Sequence, residues 1–117
     1  TGTAADDAIE AQAIDAALGR RRRAALPIGS VKSNIGHLEP ASGLAGLLKL
    51  LLAFMRGTLP PSLRCTTLNP RIPFADLNLE VVTAECPLLP GPEGVLAGLN
   101  SFGFGGTNAH VIFGAVS

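Results

Sequence analysis

Apolar residues in the middle of the chain follow the spacing of an α-helix. From Leu44 they recur at i+3, i+4, i+7 and i+11, ending at Met55, which is the pattern of one continuous helix face. Further apolar residues fill the opposite face: Leu50, Leu52 and Phe54. The pattern predicts a helix from about Pro40 to Arg56 that the rest of the protein covers on most sides, like the central helix of a layered α/β fold.

Two glycines lie inside this predicted helix. Gly43 and Gly46 each lower the helix propensity by about 1 kcal/mol relative to alanine, so we expect them to allow close packing against another backbone. The apolar run contains Lys49 and is shorter than the roughly 20 residues needed to cross a bilayer. It therefore predicts a buried helix and no membrane span.

The remaining pattern alternates between short helical and β-prone segments. Asp6 and Asp7 precede an amphipathic run, which predicts a capped helix ending near Gly19. Four prolines in Thr58–Phe74 predict an ordered connecting loop, and residues 87–94 read as a turn-rich stretch. Strands are expected at Pro27–Val31, Leu79–Thr83, Val95–Ser101 and Asn108–Val116. The last two should form an antiparallel pair joined by a glycine loop, which gives an α/β architecture with a mixed sheet.

Composition narrows the class of protein. The chain has 117 residues with nine Lys+Arg and nine Asp+Glu, which is one domain at most and gives no net field to attract nucleic acid or an anionic membrane. The four arginines at 20–23 follow a helix C-terminus and are expected to be a solvated connection. The opening residues, Thr1-Gly2-Thr3, are loop-like and lack an initiator Met, so we expect the chain to be cut from a longer protein.

The two cysteines do not suggest a metal site or a disulfide framework. Cys65 and Cys86 have no second Cys or His nearby in the sequence, and neither precedes a helix that would activate its thiol. We expect both to be packing residues in a reducing cytoplasm. No metal ligand set is predicted.

A glycine loop lies between the two last predicted strands. Gly103, Gly105 and Gly106 do not form a dinucleotide fingerprint, because Asn108 holds the position of the third glycine and a β-prone run follows. The phosphate-loop pattern fails too, since Val31 precedes Lys32-Ser33 where a glycine is required. Such a loop instead favours close approach of a ligand to backbone N–H groups, as in an oxyanion hole.

One histidine has the placement of a catalytic group. His37 follows a β-prone run and precedes the apolar helix, and Lys32 lies five residues before it. A neutral imidazole there could donate a hydrogen bond to a developing enolate, although a structural role for a lone histidine remains the alternative. His110 lies inside a predicted strand and is expected to be structural.

These residues resemble the β-ketoacyl synthases. The resemblance rests on Val31–His37 (VKSNIGH), on Asn100–His110 (NSFGFGGTNAH), and on the opening TGTAADDAIE with Pro60-Pro61-Ser62-Leu63 and Asn69-Pro70 between them. Their order and spacing are similar to the C-terminal part of the ketosynthase domains of modular polyketide synthases and type I fatty acid synthases. The resemblance covers essentially the whole chain, 1–117, and implies the C-terminal half of a thiolase-like fold.

The resemblance implies decarboxylative Claisen condensation and assigns roles to individual residues. His37 matches the second catalytic histidine, which stabilises the malonyl enolate, and Lys32 matches the lysine of its polar network. Thr1 and Thr3 match threonines that contact the phosphopantetheine arm. Phe104 matches the gating phenylalanine, and its loop, with Gly103 and Gly105, offers a backbone N–H to the oxyanion hole.

The resemblance also implies what this chain lacks and what it works with. The nucleophilic cysteine and the first catalytic histidine belong to segments before Thr1, so the chain alone should be inactive. The expected partners are an acyl carrier protein, the N-terminal half of the ketosynthase domain, an acyltransferase domain in the same chain and a second copy in a homodimer, with no nucleic acid. No cofactor is expected in this domain, because substrates arrive on the phosphopantetheine of the carrier protein.

Two departures from the family pattern leave alternatives open. Asp6-Asp7-Ala8 replaces the usual Gly-Asp-Pro, and Gly46 replaces a glutamate common in discrete bacterial synthases, which favours a multidomain parent. One alternative is a non-catalytic ketosynthase-like remnant or a subunit similar to a chain-length factor. The others are a thiolase or chalcone-synthase-like enzyme and a nucleotide-binding module.

Overall fold

The computed structural model describes residues 4–115. Helix α1 spans Ala4–Ile14 and continues as a π-helical turn over Asp15–Gly19. Helix α2 spans Lys32–Ile35, and a 3₁₀ turn at Glu39–Ala41 leads into helix α3, Ser42–Arg56. The strands are β1 (Leu26–Ile28), β2 (Thr58–Leu59), β3 (Leu79–Val81), β4 (Cys86–Pro87), β5 (Leu96–Phe102) and β6 (Asn108–Gly114). The structure therefore contains both of the long helices that the sequence predicts.

The strands pair as three small sheets. β1 and β3 are parallel, whereas β2–β4 and β5–β6 are antiparallel. The β5–β6 pair has the register Leu96↔Gly114 to Phe102↔Asn108, which confirms the antiparallel pair joined by a glycine loop. The described chain thus combines helices with parallel and antiparallel strand pairs, as the predicted α/β fold with a mixed sheet requires, and within residues 4–115 these pairs lie in three separate two-stranded sheets.

Two local predictions need correction, and one short element was not predicted. The strand expected at Pro27–Val31 is observed as Leu26–Ile28, and Lys32–Ile35, for which no element was predicted, forms a short helix. The predicted loop begins as strand β2, which pairs with β4. Strand β4, the partner of β2, ends at Pro87. A two-residue strand at a sheet edge tolerates proline because the side of the residue that lacks an N–H can face away from the partner strand.

Helix α3 packs on strand β5 at two glycines. A Cβ on Gly46 would lie 2.7 Å from Leu99 Cδ1, and one on Gly43 would lie 3.2 Å from Ser101 Oγ. The expected close packing is therefore present, but the neighbours are side chains of β5 rather than another backbone. This contact places the start of α3 beside the end of β5.

The expectation that α3 is covered on most sides is wrong for the described chain. Ala53 is its one buried residue, while Leu44 is 71% exposed and Met55 is 82% exposed. Strand β5 covers one side of the helix, and no element of residues 4–115 covers the leucine-rich side. No helix in this range is long and apolar enough to span a membrane.

Hydrogen bonds of Asp15 and Asn78 connect the end of the first helix to the residue before β3. The backbone N–H of Asn78 donates to Asp15 Oδ1 at 2.9 Å, and Asn78 Nδ2 donates to the carbonyl of Gly19 at 2.8 Å. The carbonyl of Asn78 accepts from the N–H of Leu26 at 2.8 Å. Asp15 is only 2% exposed, and the Asn78 N–H, together with the Arg20 Nε–H that donates to Asp15 Oδ2, satisfies a carboxylate that would otherwise be costly to bury.

Candidate functional site

One surface depression brings together His37 and the glycine loop. Its volume is about 430 Å³. Two segments form it: the turn that precedes α3, and the end of the β5–β6 pair with its connecting loop. The lining residues are His37, Glu39, Pro40, Ser42, Ser101, Phe102, Gly103, Phe104, Thr107 and Ala109. The packing of α3 on β5 thus brings two motifs that are far apart in sequence to one site.

A backbone hydrogen bond fixes the protonation pattern of His37. Gly36 has φ 76°, a conformation that glycine adopts without strain, and it ends α2 so that the chain turns sharply. The N–H of Glu39 then donates to His37 Nδ1 at 2.9 Å. In the neutral imidazole the proton must therefore be on Nε2, which makes Nε2–H a hydrogen-bond donor. The ring is exposed at the depression.

The glycine loop uses some of its amides internally and leaves others free. Gly103 N–H donates to the Thr107 carbonyl at 2.8 Å, and Gly106 N–H donates to the Gly103 carbonyl at 3.0 Å. Within residues 4–115, the N–H groups of Phe104 and Gly105 donate to no acceptor. Free amides at the edge of a depression are the groups an oxyanion hole requires. The Phe104 side chain is 97% exposed at the same edge.

The other candidate residues lie apart from this depression or outside the described chain. Lys32 is half-buried at the start of α2, where its backbone N–H donates to Ser30 Oγ at 3.2 Å, and it does not line the depression. Thr1 and Thr3 lie outside the described residues. Gly105 is in the glycine loop but is not among the lining residues.

Neither cysteine is part of the site. Cys65 and Cys86 are free, half-buried thiols, and neither lines the depression. Cys86 lies instead in strand β4, where it pairs with Leu59. In the part of the chain that the structure describes, no group of three or more His, Cys, Asp or Glu could hold a metal ion.

A buried lysine is a feature that the sequence analysis did not single out. Lys49 Nζ is buried and has no hydrogen-bond partner within residues 4–115, and it lies beside a second depression of about 350 Å³ lined also by Asn34, Arg56 and Glu85. Burial lowers the pKa of Lys49, and the nearby Cys65 partly opposes this. A lysine within an otherwise apolar helix was the sequence signal for this group.

Comparisons with known proteins agree with these motifs. Residues 1–66 match the family "Beta-ketoacyl synthase, C-terminal domain", and residues 69–117 match the "Ketoacyl-synthetase C-terminal extension". The chain is 50% identical to polyketide synthase GfsA of Streptomyces halstedii, over 98% of this chain and 2% of that protein. It is also 50% identical to a phenolphthiocerol/phthiocerol polyketide synthase of Mycobacterium tuberculosis, over 96% of this chain and 6% of that protein.

Solved ketosynthase structures share the fold. Ketosynthase twelve of the bacillaene polyketide synthase in Bacillus amyloliquefaciens superposes with a TM-score of 0.90 at 39% identity, covering 100% of this chain and 21% of that chain. The oxazolomycin ketosynthase OzmH KS7 of Streptomyces albus gives a TM-score of 0.85 at 38% identity, covering 96% of this chain and 21% of that chain. This likeness confirms the α/β, thiolase-like fold class. The chain spans about a fifth of these ketosynthase chains and a few per cent of the curated relatives.

Proposed function

The chain belongs to the β-ketoacyl synthase family, and from this premise we propose that it supplies the C-terminal part of a ketosynthase domain. The complete domain would be an acyltransferase that forms carbon–carbon bonds by decarboxylative Claisen condensation, in polyketide or fatty acid biosynthesis. The proposal rests on the observation that His37 and the Gly103–Phe104 segment line the same depression. The depression combines a side-chain donor with Phe104, whose backbone amide donates to no acceptor in residues 4–115.

His37 is proposed to stabilise the enolate. When a malonyl thioester loses CO₂, the bond between its C2 and the carboxylate breaks, and the electron pair passes into the enolate of the thioester. With Nδ1 occupied by the Glu39 N–H, His37 can present Nε2–H to the enolate oxygen without a change of tautomer. A preorganised donor of this kind stabilises developing negative charge.

The glycine loop is proposed to serve the second step. There the enolate carbon attacks the acyl thioester carbonyl, a C–C bond forms, and the C–S bond breaks with the thiolate as the leaving group. The tetrahedral oxyanion needs N–H donors, and Phe104 and Gly105 have amides that donate to no other group in residues 4–115. The exposed Phe104 side chain stands at the entrance, as expected of an acyl gate.

The acylated thiol must come from outside this chain. Neither Cys65 nor Cys86 lines the depression, so we propose that another segment of the ketosynthase provides the nucleophile and the first histidine. The 117-residue chain alone would then catalyse no condensation. Lys32, Thr1 and Thr3 keep the roles that the family motif gives them, in the polar network and against the phosphopantetheine arm.

The partners follow from the same proposal. The exposed leucines of α3 support a covering N-terminal half of the domain, because a soluble protein seldom leaves so large an apolar face uncovered. The polyketide synthase relatives support a multidomain parent with a carrier protein that delivers substrates on phosphopantetheine. A neighbouring acyltransferase domain, a homodimer and a cytoplasmic location complete the proposal.

The test is malonyl decarboxylation by the complete ketosynthase domain that carries this chain. With malonyl-carrier protein as substrate, His37→Ala should lower CO₂ release by about 100-fold or more. Arg23→Ala, in the exposed connection after α1, is the matched control and should leave the rate unchanged. Undiminished CO₂ release from His37→Ala would contradict the proposed role of the depression.

Chain extension separates this function from the non-catalytic alternative. A working condensing enzyme should couple decarboxylation to formation of a β-ketoacyl product, and alkylation with iodoacetamide should abolish product formation because it blocks the acyl-accepting thiol. Decarboxylation without extension would instead identify a remnant or a chain-length-factor-like protein.

A further inference from the structure

A row of polar side chains, none of which lines the depression, joins α1 to the β5–β6 pair. Asn100 Nδ2 donates to Glu10 Oε1 at 2.9 Å, and Asn100 Oδ1 lies 2.5 Å from His110 Nδ1. Asn100 and His110 are direct cross-strand partners. The sequence separation between Glu10 and His110 shows that the row is a tertiary link.

The direction of each hydrogen bond is determined by chemistry. An ionised carboxylate only accepts, so the Asn100 amide must present its NH₂ group to Glu10 and its oxygen to His110. His110 must therefore carry a proton on Nδ1 and donate it to Asn100. Reversing the amide would place two acceptors against each other at Glu10.

Gly98 provides the space in which the His110 ring lies. A Cβ at this position would be 2.8 Å from His110 Cε1 and 3.2 Å from its Nε2. The imidazole thus lies over the bare backbone of β5 and reaches the next residue on that face, Asn100. The contact with Gly98 and the bond to Asn100 both favour this orientation of the exposed ring.

This row lies close to the glycine loop without reaching the depression. Successive residues of a strand face opposite sides of the sheet, and the neighbours Ser101 and Ala109 line the depression. Two residues after Asn100, strand β5 ends at Phe102, and β6 begins two residues before His110. Glu10, Asn100 and His110 do not line the depression themselves, so the row acts on the loop through the strands that end there.

We propose that Glu10, Asn100 and His110 form a positioning clasp that holds the Phe102–Thr107 loop at a fixed place relative to α1. The role in the reaction rests on the proposed function. In that setting the clasp connects the helix that follows Thr1 and Thr3 with the loop that carries the free amides of Phe104 and Gly105. Small displacements of such groups lower the rate of a reaction steeply.

The first test measures the loop directly in the complete ketosynthase domain, by hydrogen exchange of a peptide covering Phe102–Thr107. His110→Ala removes the donor to Asn100 and should speed loop exchange by about fivefold. His110→Asn supplies an amide N–H near the position of Nδ1 and should restore exchange to within about twofold. Ile112→Ala, on the same face of β6, is the control and should not change loop exchange.

The second test measures condensation by the same proteins. His110→Ala should lower kcat by about tenfold, with a smaller change in KM, and His110→Asn should recover most of it. A merely structural role would lower the melting temperature and leave kcat per folded enzyme unchanged.

The outcomes distinguish the clasp from the proposed function. Loop exchange that is the same in His110→Ala as in the parent protein overturns the clasp, whether or not the domain is active. Faster exchange with an unchanged kcat overturns its role in the reaction. A parent domain that performs neither decarboxylation nor condensation overturns the proposed function, while the exchange result still decides the clasp.

Discussion

Asp15 shows how a single buried carboxylate fixes two distant segments. It accepts the Asn78 N–H and also the Nε–H of Arg20 at 3.2 Å. Arg20 is 72% exposed, so its ion pair contributes little in water. The bond to the Asn78 amide matters more, because losing it would leave a part-buried donor unsatisfied.

Replacing Asp15 should therefore destabilise the protein. We expect Asp15→Ala to lower the free energy of unfolding by about 1–3 kcal/mol, measured from the midpoint of urea denaturation. Arg20→Ala should change it by less than about 1 kcal/mol. Asp76→Ala removes an exposed carboxylate and serves as the control. Equal losses for Asp15→Ala and Asp76→Ala would contradict the role of this contact.

Lys49 predicts a pH dependence of stability with a definite sign. Burial lowers its pKa in the folded chain below the ordinary value of 10.5. Between the lowered pKa of the folded chain and the value of 10.5 in the unfolded chain, the unfolded chain binds more protons. The free energy of unfolding therefore rises with pH across this window and falls as the pH drops through it. Lys49→Met should abolish that rise and raise stability below the window, because it replaces a buried ammonium that has no hydrogen-bond partner in residues 4–115 with an apolar side chain.

The measurement is urea denaturation of the 117-residue chain at several pH values from about 7 to 10.5. Arg23→Met in the exposed connection controls for the loss of one positive charge. A pH slope that persists in Lys49→Met would assign it to another group.

At the scale of elements, the contact between α3 and β5 places the two halves of the depression side by side. Alanine at Gly46 should gain helix propensity of about 1 kcal/mol, but its Cβ would meet Leu99 at 2.7 Å. Overpacking of this kind costs about 1–3 kcal/mol, so Gly46→Ala alone should be neutral or destabilising.

A double-mutant cycle isolates that contact. In a Leu99→Ala background the clash is gone, and Gly46→Ala should then stabilise the protein by about 1 kcal/mol. The change of sign is measured from the unfolding midpoints of the four proteins. Strict additivity would mean that the two residues do not pack against each other.

The elements also show which features sequence patterns could predict. Periodicity located α3 and the β5–β6 pair because both are long and regular. It missed the pairing of β2 with β4, since two-residue strands carry no period and both lie among prolines. The motifs identified His37 and the glycine loop, but the bond from the Glu39 N–H to His37 Nδ1 depends on the geometry of the turn after Gly36, which the motif alone does not specify.

For the whole molecule, the decisive feature is the uncovered side of α3. The sequence predicted a covered helix because apolar residues occur on all sides of α3. Within residues 4–115, however, one of those sides stays exposed to solvent. Leu48 and Leu52 are exposed there, at positions that four-residue spacing places on one face. If the rest of the ketosynthase covers this face, a charge placed on it should improve the behaviour of the isolated chain in solution and destabilise the complete domain.

The same substitutions in the isolated chain and in the complete domain test this directly. In the 117-residue chain, Leu48→Glu with Leu52→Glu should reduce self-association and binding of a hydrophobic dye, because the charges break up an exposed apolar face. In the complete domain they should lower the free energy of unfolding by about 3–5 kcal/mol or prevent folding, because two charges would then be buried without partners.

The control is Leu89→Glu, which changes an exposed leucine after β4 and should have little effect on the stability of the complete domain. Normal stability of the doubly substituted domain would mean that this side of α3 faces solvent there too, so that the helix is not the centre of a layered fold.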